Sequence, residues 1–269
     1  MTKASPLSRR ALLLSGLFSA GALSLSACSS SLDSVEHSQS AMDKDVVVLG
    51  YDNTFVPMGY DDNGITKGFD VDLAEYVFTQ IGKKYRWENI DWAMKEAELT
   101  SGKIDAIWSG YTVTPERLKK VSATDTYLTN DQTFMVLEAS DITSKADLAG
   151  KQVATQAGSS ALDLITADTD FLNSIDGAQP LLYDTYDKAL RDLEVGRADA
   201  VAGDYMMLGY YAKARGAEKY RILDENMGTE SCVVAVRKDD PAFLQALNQG
   251  IEDAKNDGTL DNLTSTWFG

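Results

Sequence analysis

Gly102-Lys103-Ile104-Asp105-Ala106-Ile107-Trp108-Ser109-Gly110 has a counterpart later in the same chain, Gly196-Arg197-Ala198-Asp199-Ala200-Val201-Ala202-Gly203-Asp204. Each follows a segment with apolar residues three or four apart, Trp92 to Leu99 before the first and Tyr186 to Val195 before the second, which is the helical period. Glycine ends each helix because it enters the left-handed conformation without strain, and the apolar run after it reads as a buried strand. Helix, tight turn and buried strand therefore occur twice, which predicts two similar lobes. The repeats part at their ends: the first leads to Arg117 within Thr114-Pro115-Glu116-Arg117, and the second stops on Asp204. A cation from one lobe and an anion from the other suit a small zwitterion held between them.

Outward from the repeats the alternation continues. Strands are expected at Asp45 to Gly50, Tyr85 to Asn89 and Ile104 to Trp108, with an Asn-Gly hairpin turn inside Gly59 to Ile65 and an amphipathic helix from Val71 to Ile81 closed by Gly82. A connecting strand at Thr133 to Leu137 leads to strands at Gln152 to Gln156, Gln179 to Tyr183 and Ala200 to Gly203. Helices begin at Ser160, Tyr186 and Asp204. The run Cys232 to Val236 reads as one more strand, followed by a helix from Pro241 and a last amphipathic segment ending Trp267-Phe268-Gly269. This is an α/β pattern with helices on both faces of each sheet. Ligands in such folds sit beyond the carboxyl ends of strands, where Arg117 and Asp204 fall.

Each candidate residue has a structural reading beside the functional one. Thr114 as N-cap and Pro115 after it put Arg117 in a first helical turn, where a cation opposes the helix dipole and needs an anion. A structural partner such as Glu116 or Asp125 would meet that need as well as a ligand would. Asp204 stands at a helix start, where aspartate is common as a cap. Gly158-Ser159-Ser160 precedes a helix whose free N–H groups suit a carboxylate, though small residues also serve a tight turn. Phe55 and Trp92 follow strands, where a pocket wall is placed. Asp70, Asp72 and Glu75 complement the dipole of their own helix rather than a metal, and Asp61 to Gly64 lacks the spaced ligands of a calcium loop.

Arg9 and Arg10, the apolar stretch Ala11 to Leu25 and the ending Leu25-Ser26-Ala27-Cys28 form an export signal over residues 1 to 27. Its end resembles the bacterial lipobox, which makes Cys28 the lipid-modified first residue of the mature chain. Ser8 to Leu13 also resembles a twin-arginine signal. Residues 28 to 44 read as the lipidated cysteine and a flexible Ser-rich tether. The chain carries 25 basic and 41 acidic residues, and loss of Lys3, Arg9 and Arg10 with the signal leaves 22 basic ones. Such acidity argues against nucleic acid as a partner. The one histidine, His37, lies in the tether, so residues 45 to 269 can build no Ser-His-Asp, Cys-His or His-zinc site. Cys232 in its apolar run reads as a buried, inert thiol.

Six ordered motifs carry a family resemblance: Gly68-Phe69-Asp70-Val71-Asp72-Leu73-Ala74, Gly102 to Ala106, Thr112-Val113-Thr114-Pro115-Glu116-Arg117, Ala146 to Lys151, Gly196 to Ala200, and Asp257-Gly258-Thr259-Leu260 through Gly269. They resemble the polar amino-acid-binding lipoproteins of bacterial ABC importers, the extracellular solute-binding proteins of family 3, over nearly all of residues 45 to 269. The resemblance implies an α/β, two-lobed periplasmic-binding-protein fold of type II with two crossover strands. Lobe 1 would be residues 45 to 132 plus 229 to 269, and lobe 2 residues 133 to 228. It implies a monomer on the extracytoplasmic face of the cell membrane, anchored by lipid on Cys28, that closes around one amino acid and presents it to an ABC permease. No cofactor, metal or catalytic residue is implied. Matched residue by residue, Arg117 binds the carboxylate and Asp204 the α-ammonium. Ser109, Thr112 and Ser160 are small-residue carboxylate contacts, Phe55 and Trp92 aromatic walls, and Asp52 sits where some members reach the ligand side chain. Trp108, Tyr111 and Ser231-Cys232 depart from common patterns around the side-chain pocket. Two alternatives share the fold: a sensory amino-acid-binding subunit and a dehydratase.

Overall fold

The computed structural model describes residues 39 to 269. The expected export signal, the lipidation site Cys28 and most of the tether lie outside the described residues. The tether is expected to reach residue 44, but its last part packs onto the folded body. Ala41 is fully buried, and the Ser40 hydroxyl and the Ala41 N–H donate to Asp240 at 2.6 and 2.7 Å. Lys44 pairs with buried Asp105 at 2.6 Å. Asp240 caps the helix Pro241–Asn256 by accepting from Phe243 N–H and still has oxygens to offer, a long-range partnership that local sequence does not display.

Two mixed sheets are built to one plan. The first runs Lys84–Asn89, Val46–Tyr51, Ala106–Ile107, Ala235–Val236, Ser122–Ala123. Its first three strands are parallel, Ala235–Val236 runs antiparallel to them, and Ser122–Ala123, antiparallel to Ala235–Val236, returns to their direction. The second runs Leu181–Tyr183, Val153–Gln156, Ala200–Asp204, Leu128–Leu137, Tyr220–Ile222, with Gly228–Cys232 also paired to Leu128–Leu137. Here too three parallel strands meet an antiparallel return. Each sheet is apolar on both faces because helices cover both. Ile104 and Ile107 pack with Leu99 on one side of the first sheet, and Val47 and Leu49 with Leu73, Val77 and Leu247 on the other. In the second sheet Phe134 and Val153 pack with Ile165 on one side, and Met135, Ala154 and Val201 with Leu190 and Leu208 on the other. Each fully buried aliphatic side chain of this kind contributes about 1.5 to 3 kcal/mol.

The Asn-Gly reading is met in a small antiparallel sheet of Thr54–Phe55, Gly59–Asp62 and Ile65–Lys67. Asn63 and Gly64 take φ of 56° and 84°, as a two-residue hairpin turn requires, and Asp61 accepts from Gly64 N–H at 2.8 Å. The helix Phe69–Ile81 starts two residues before its expected position and ends at left-handed Gly82. Its acidic residues do more than complement the dipole. Asp70 is fully buried and accepts from Gly110 N–H at 2.7 Å, Asp72 accepts from the Trp267 indole at 2.8 Å, and Glu75 accepts from the Tyr85 hydroxyl at 2.6 Å.

The single strand expected over Cys232 to Val236 is divided. Gly228–Cys232 belongs to the second sheet and Ala235–Val236 to the first. Residues 233 and 234 bridge them, with Val233 N–H donating to Tyr111 O and Val234 N–H to the Thr124 hydroxyl. Leu128–Leu137 is likewise longer than the expected Thr133 to Leu137. An apolar run shows that a strand is buried, not which sheet receives it, so this division is invisible before folding. Among the described residues no helix is long and apolar enough to cross a membrane.

Candidate functional site

The carboxyl ends of both sets of parallel strands face one enclosed cavity. It is lined by Asp52, Phe55, Trp92, Ser109, Gly110, Thr112 and Arg117 from the first sheet's side and by Gln156, Ser159, Ser160, Tyr186 and Asp204 from the second's. All eight residues singled out from sequence are among them. The cavity measures about 10 Å³, space on the order of one water, so an amino acid enters only when the walls part.

Arg117 lies in the short helix Pro115–Leu118, with Thr114 as N-cap accepting from Arg117 N–H at 3.1 Å. Its guanidinium is buried, donates to Thr112 O at 3.0 Å and Gly158 O at 3.1 Å, and lies 5.0 Å from the Tyr111 ring centre. The anion it pairs with is neither Glu116 nor Asp125 but Asp163, at 3.2 Å, from the helix Ser160–Ala167 on the other side of the cleft. The Asp163 side chain is 56 % exposed, so the pair is weakened by solvent and leaves Arg117 able to take a better anion.

Asp204 is the last residue of the strand Ala200–Asp204 and stands at the N-cap of Tyr205–Arg215, yet its side chain makes no capping hydrogen bond. The capping explanation for this residue therefore fails. Its buried carboxyl instead accepts from the Asn130 side-chain amide. Burial first, and the Glu230 carboxylate second, push its pKa up to about 7, against the pull of the Gln132 and Asn130 amides. A buried carboxyl with no cationic partner among the described residues favours an incoming ammonium.

Asp52 follows the strand Val46–Tyr51. One oxygen accepts from Thr54 N–H and its hydroxyl at 2.9 and 2.7 Å, which holds the loop, while the other accepts from Gln156 across the cavity at 2.7 Å. Burial raises its pKa, opposed by these bonds. Phe55 lies 6.0 Å from Tyr186, ring centre to ring centre, and Trp92 packs edge-on to Tyr111 at 6.2 Å. Phe55 is itself in a short strand and Trp92 opens a 3-10 turn, rather than either simply following a strand. Ser109, Gly110 and Thr112 form the loop after Ala106–Ile107, and Gly110 has φ of 56°, where an added Cβ would meet Phe55 at 2.7 Å. Ser160 begins its helix beside the capping residue Ser159, which accepts from Leu162 N–H at 3.1 Å. Trp108 and Tyr111 are fully buried in the core, and burial drives the Cys232 thiol well up in pKa, consistent with an inert sulfur.

Sequence reasoning passed over Gln156 and Tyr186 as site residues, although both stand at strand or helix ends on the ligand side, the signal that found Asp204. It also missed Lys95. That ammonium is buried, donates to Gly158 O at 2.8 Å and Trp92 O at 3.2 Å, and lies 3.4 Å from Glu96. Burial, then the charge of Arg117, lowers its pKa to about 8. Gly158, the carbonyl shared by Lys95 and Arg117, has φ of 73°, and a Cβ there would approach Ala93 Cα to 3.0 Å. The two sides of the cleft therefore touch at a glycine.

The model of the bacterial extracellular solute-binding proteins, family 3, matches residues 47 to 269. The chain belongs to this family. It is 29 % identical over 202 residues to ABC transporter arginine-binding protein 1 of Escherichia coli K12, covering 74 % of this chain and 80 % of that one. Among solved structures, an ABC uptake transporter substrate-binding protein from Streptococcus pneumoniae with bound histidine is 35 % identical, with a TM-score of 0.82 over 85 % of this chain and 94 % of that one. The ancestral amino acid-binding protein AncCDT-1, described as a precursor of cyclohexadienyl dehydratase, is 32 % identical, with a TM-score of 0.76 over 85 % and 97 %. The solute-binding protein thus has the two-lobed type II architecture, and the cavity lies between its lobes.

Proposed function

We propose that this solute-binding protein captures one polar L-amino acid between its lobes and delivers it to the permease of an ABC importer. The observation that carries this reading is the meeting of Arg117 and Asp204, opposite charges from corresponding places in the two repeats, on one cavity with Ser109, Thr112 and Ser160. The carboxylate is received by Arg117 and the hydroxyl residues, and the ammonium by Asp204. Phe55 and Trp92 flank the aliphatic part of the side chain. The Asp52 carboxylate, which takes the Gln156 amide across the cavity, offers an acceptor at its far end, and this favours a side chain bearing hydrogen-bond donors. The arginine and histidine in the names of the relatives support the same class.

In the open state both charges are hydrated. On closure they meet the ligand in a drier cleft, where charge-assisted hydrogen bonds are stronger. Contacts from both lobes to one ligand supply the differential energy for closure, and the closed shape is what the permease receives. Lobe 1 comprises residues 45 to 132 with 229 to 269, lobe 2 residues 133 to 228, and lipid on Cys28 keeps the protein at the extracytoplasmic face of the membrane.

The test is thermal unfolding of the purified chain, freed of carried-over ligand by unfolding and refolding, against the twenty amino acids, ornithine and cystine. Ligand that binds the native state raises the midpoint by mass action, about 2.7 kcal/mol at a hundredfold excess over Kd. A shift with one or a few L-amino acids supports the reading. No shift in a cooperatively folded sample refutes it, and turnover of a cyclic carboxylate would favour the dehydratase alternative.

A further inference from the structure

Two strands pass between the lobes beneath the cavity, Leu128–Leu137 and Gly228–Cys232, paired antiparallel with Glu230 opposite Asn130. Polar side chains from these strands bind one another and the site above. Asn130 donates to Asp204. Gln132, fully buried, donates its amide to Glu230 Oε2 at 3.0 Å, and the same oxygen accepts from the Thr112 hydroxyl at 2.8 Å. Thr112 Oγ1 lies in turn 3.4 Å from Ser160 Oγ on the opposite lobe. One carboxylate oxygen therefore contacts both the strand that carries the support of Asp204 and the loop at the anion-receiving end. A second carboxylate close to Asp204 is costly, since like charges disfavour each other in a poorly solvated place, and a neutral side chain of the same reach would avoid that cost.

We propose that Glu230 is a positioning residue for amino-acid capture, tying the ammonium end of the site at Asp204 to the carboxylate end at Thr112 through the two strands that join the lobes. The inference rests on the assignment of Asp204 as the ammonium partner. Glu230 and Gln132 are carried by the two crossover strands, and the hydrogen bonds Glu230 accepts from Gln132 and Thr112 link those strands to the loop at the carboxylate end. Its charge adds a signature that a purely structural side chain lacks. Glu230 is the largest electrostatic contributor to the proton affinity of Asp204 after burial, while the other titratable groups facing Asp204, Tyr186 and Cys232, are themselves driven upward and stay neutral around pH 7. Removal of the Glu230 charge lowers the pH at which Asp204 ionises.

The experiment compares wild type, Glu230→Gln and Asp204→Asn. The Asp204 carboxyl is titrated by carbon-detected NMR in the ligand-free protein, its signal assigned by its loss in Asp204→Asn. Affinity is measured by calorimetry at pH 8 across the twenty standard L-amino acids. Glu230→Gln is expected to move the Asp204 midpoint down by about half a pH unit or more and to weaken binding of the preferred amino acid by about three- to tenfold. An unmoved midpoint, or an affinity within about twofold of wild type, overturns the inference. Unchanged affinity in Asp204→Asn overturns instead the site assignment on which it rests. Should Glu230→Gln fail to fold, Glu230→Asp keeps the charge and withdraws its reach. It is then expected to bind more weakly with the Asp204 midpoint in place, and unchanged affinity in that variant overturns the proposal.

Discussion

The two repeats agree in what makes them fold and differ in what they present to the cleft. Gly102 and Gly196 take φ of 76° and 73°, and behind them Lys103 N–H donates to Glu98 O and Arg197 N–H to Asp192 O, closing both helices alike. Asp105 and Asp199 then perform the same task, each accepting a backbone N–H from the neighbouring parallel strand or its approach, Val48 within Val46–Tyr51 at 3.0 Å and Gln152 just before Val153–Gln156 at 2.8 Å. Beyond this the paths separate. The first strand ends after Ile107, and the chain turns out through Gly110, held by Asp70, toward Thr112 and Arg117. The second continues to Asp204. Equivalent scaffolds thus carry residues of opposite charge to one cavity, and those residues sit where the likeness stops.

Substitutions can break each half of that comparison. The largest expected effect belongs to the shared half. Asp105 is fully buried and holds Lys44 and Arg237 as well as the strand, so Asp105→Ala should cost about 3 to 5 kcal/mol of unfolding free energy in urea. Asp199→Ala, at a more exposed site, should cost clearly less, and neither should change which amino acid binds. Equal losses would show that the two aspartates are not held in different environments. Next comes the divergent half. Arg117→Ala should weaken amino-acid binding at least a hundredfold, about 3 kcal/mol of lost pairing, with little change in urea midpoint. Unchanged affinity would remove Arg117 from the carboxylate role.

The opposite end predicts a pH profile. Since Asp204 ionises near pH 7 without ligand, capture of an ammonium must first expel its proton. Affinity should therefore drop by up to about tenfold for each pH unit below 7, and Asp204→Asn, weaker throughout, should lose that slope. A wild-type profile flat from pH 5 to 8 would contradict the assignment. Stability runs the other way. Asp204 and Asp70 both have pKa values raised to about 7, so the folded chain holds protons that the unfolded chain has released above about pH 4. Their contribution to ligand-free stability is present at low pH and is lost as pH rises from about 4 to about 7. The smallest effect expected is at the contact between lobes. Gly158→Ala should raise Kd roughly fivefold, about 1 kcal/mol, from its left-handed backbone and the approach of Cβ to Ala93.

Much of this was legible in the chain itself, for reasons that are local. Apolar period, capping threonines and serines, and glycines past helix ends act within a few residues, so the helices, both repeats and the Asn63-Gly64 turn could be read directly. The strand-end rule then placed Arg117, Asp204, Phe55 and Trp92 on the ligand side, since the end of a parallel strand faces the cleft whatever its partners are, and only the family resemblance added Asp52. What the sequence alone determined was the plan: two α/β lobes with a cation at one end and an anion at the other. Tertiary structure decided the rest. It split the run Cys232 to Val236 between two sheets, gave Arg117 its partner Asp163 from the facing lobe, buried Lys95 against Gly158, and set Glu230 between Thr112 and Gln132. These relations join residues far apart in the chain. Only lobe packing brings them within hydrogen-bond range, and desolvation there pushes the pKa of Asp204 up and that of Lys95 down.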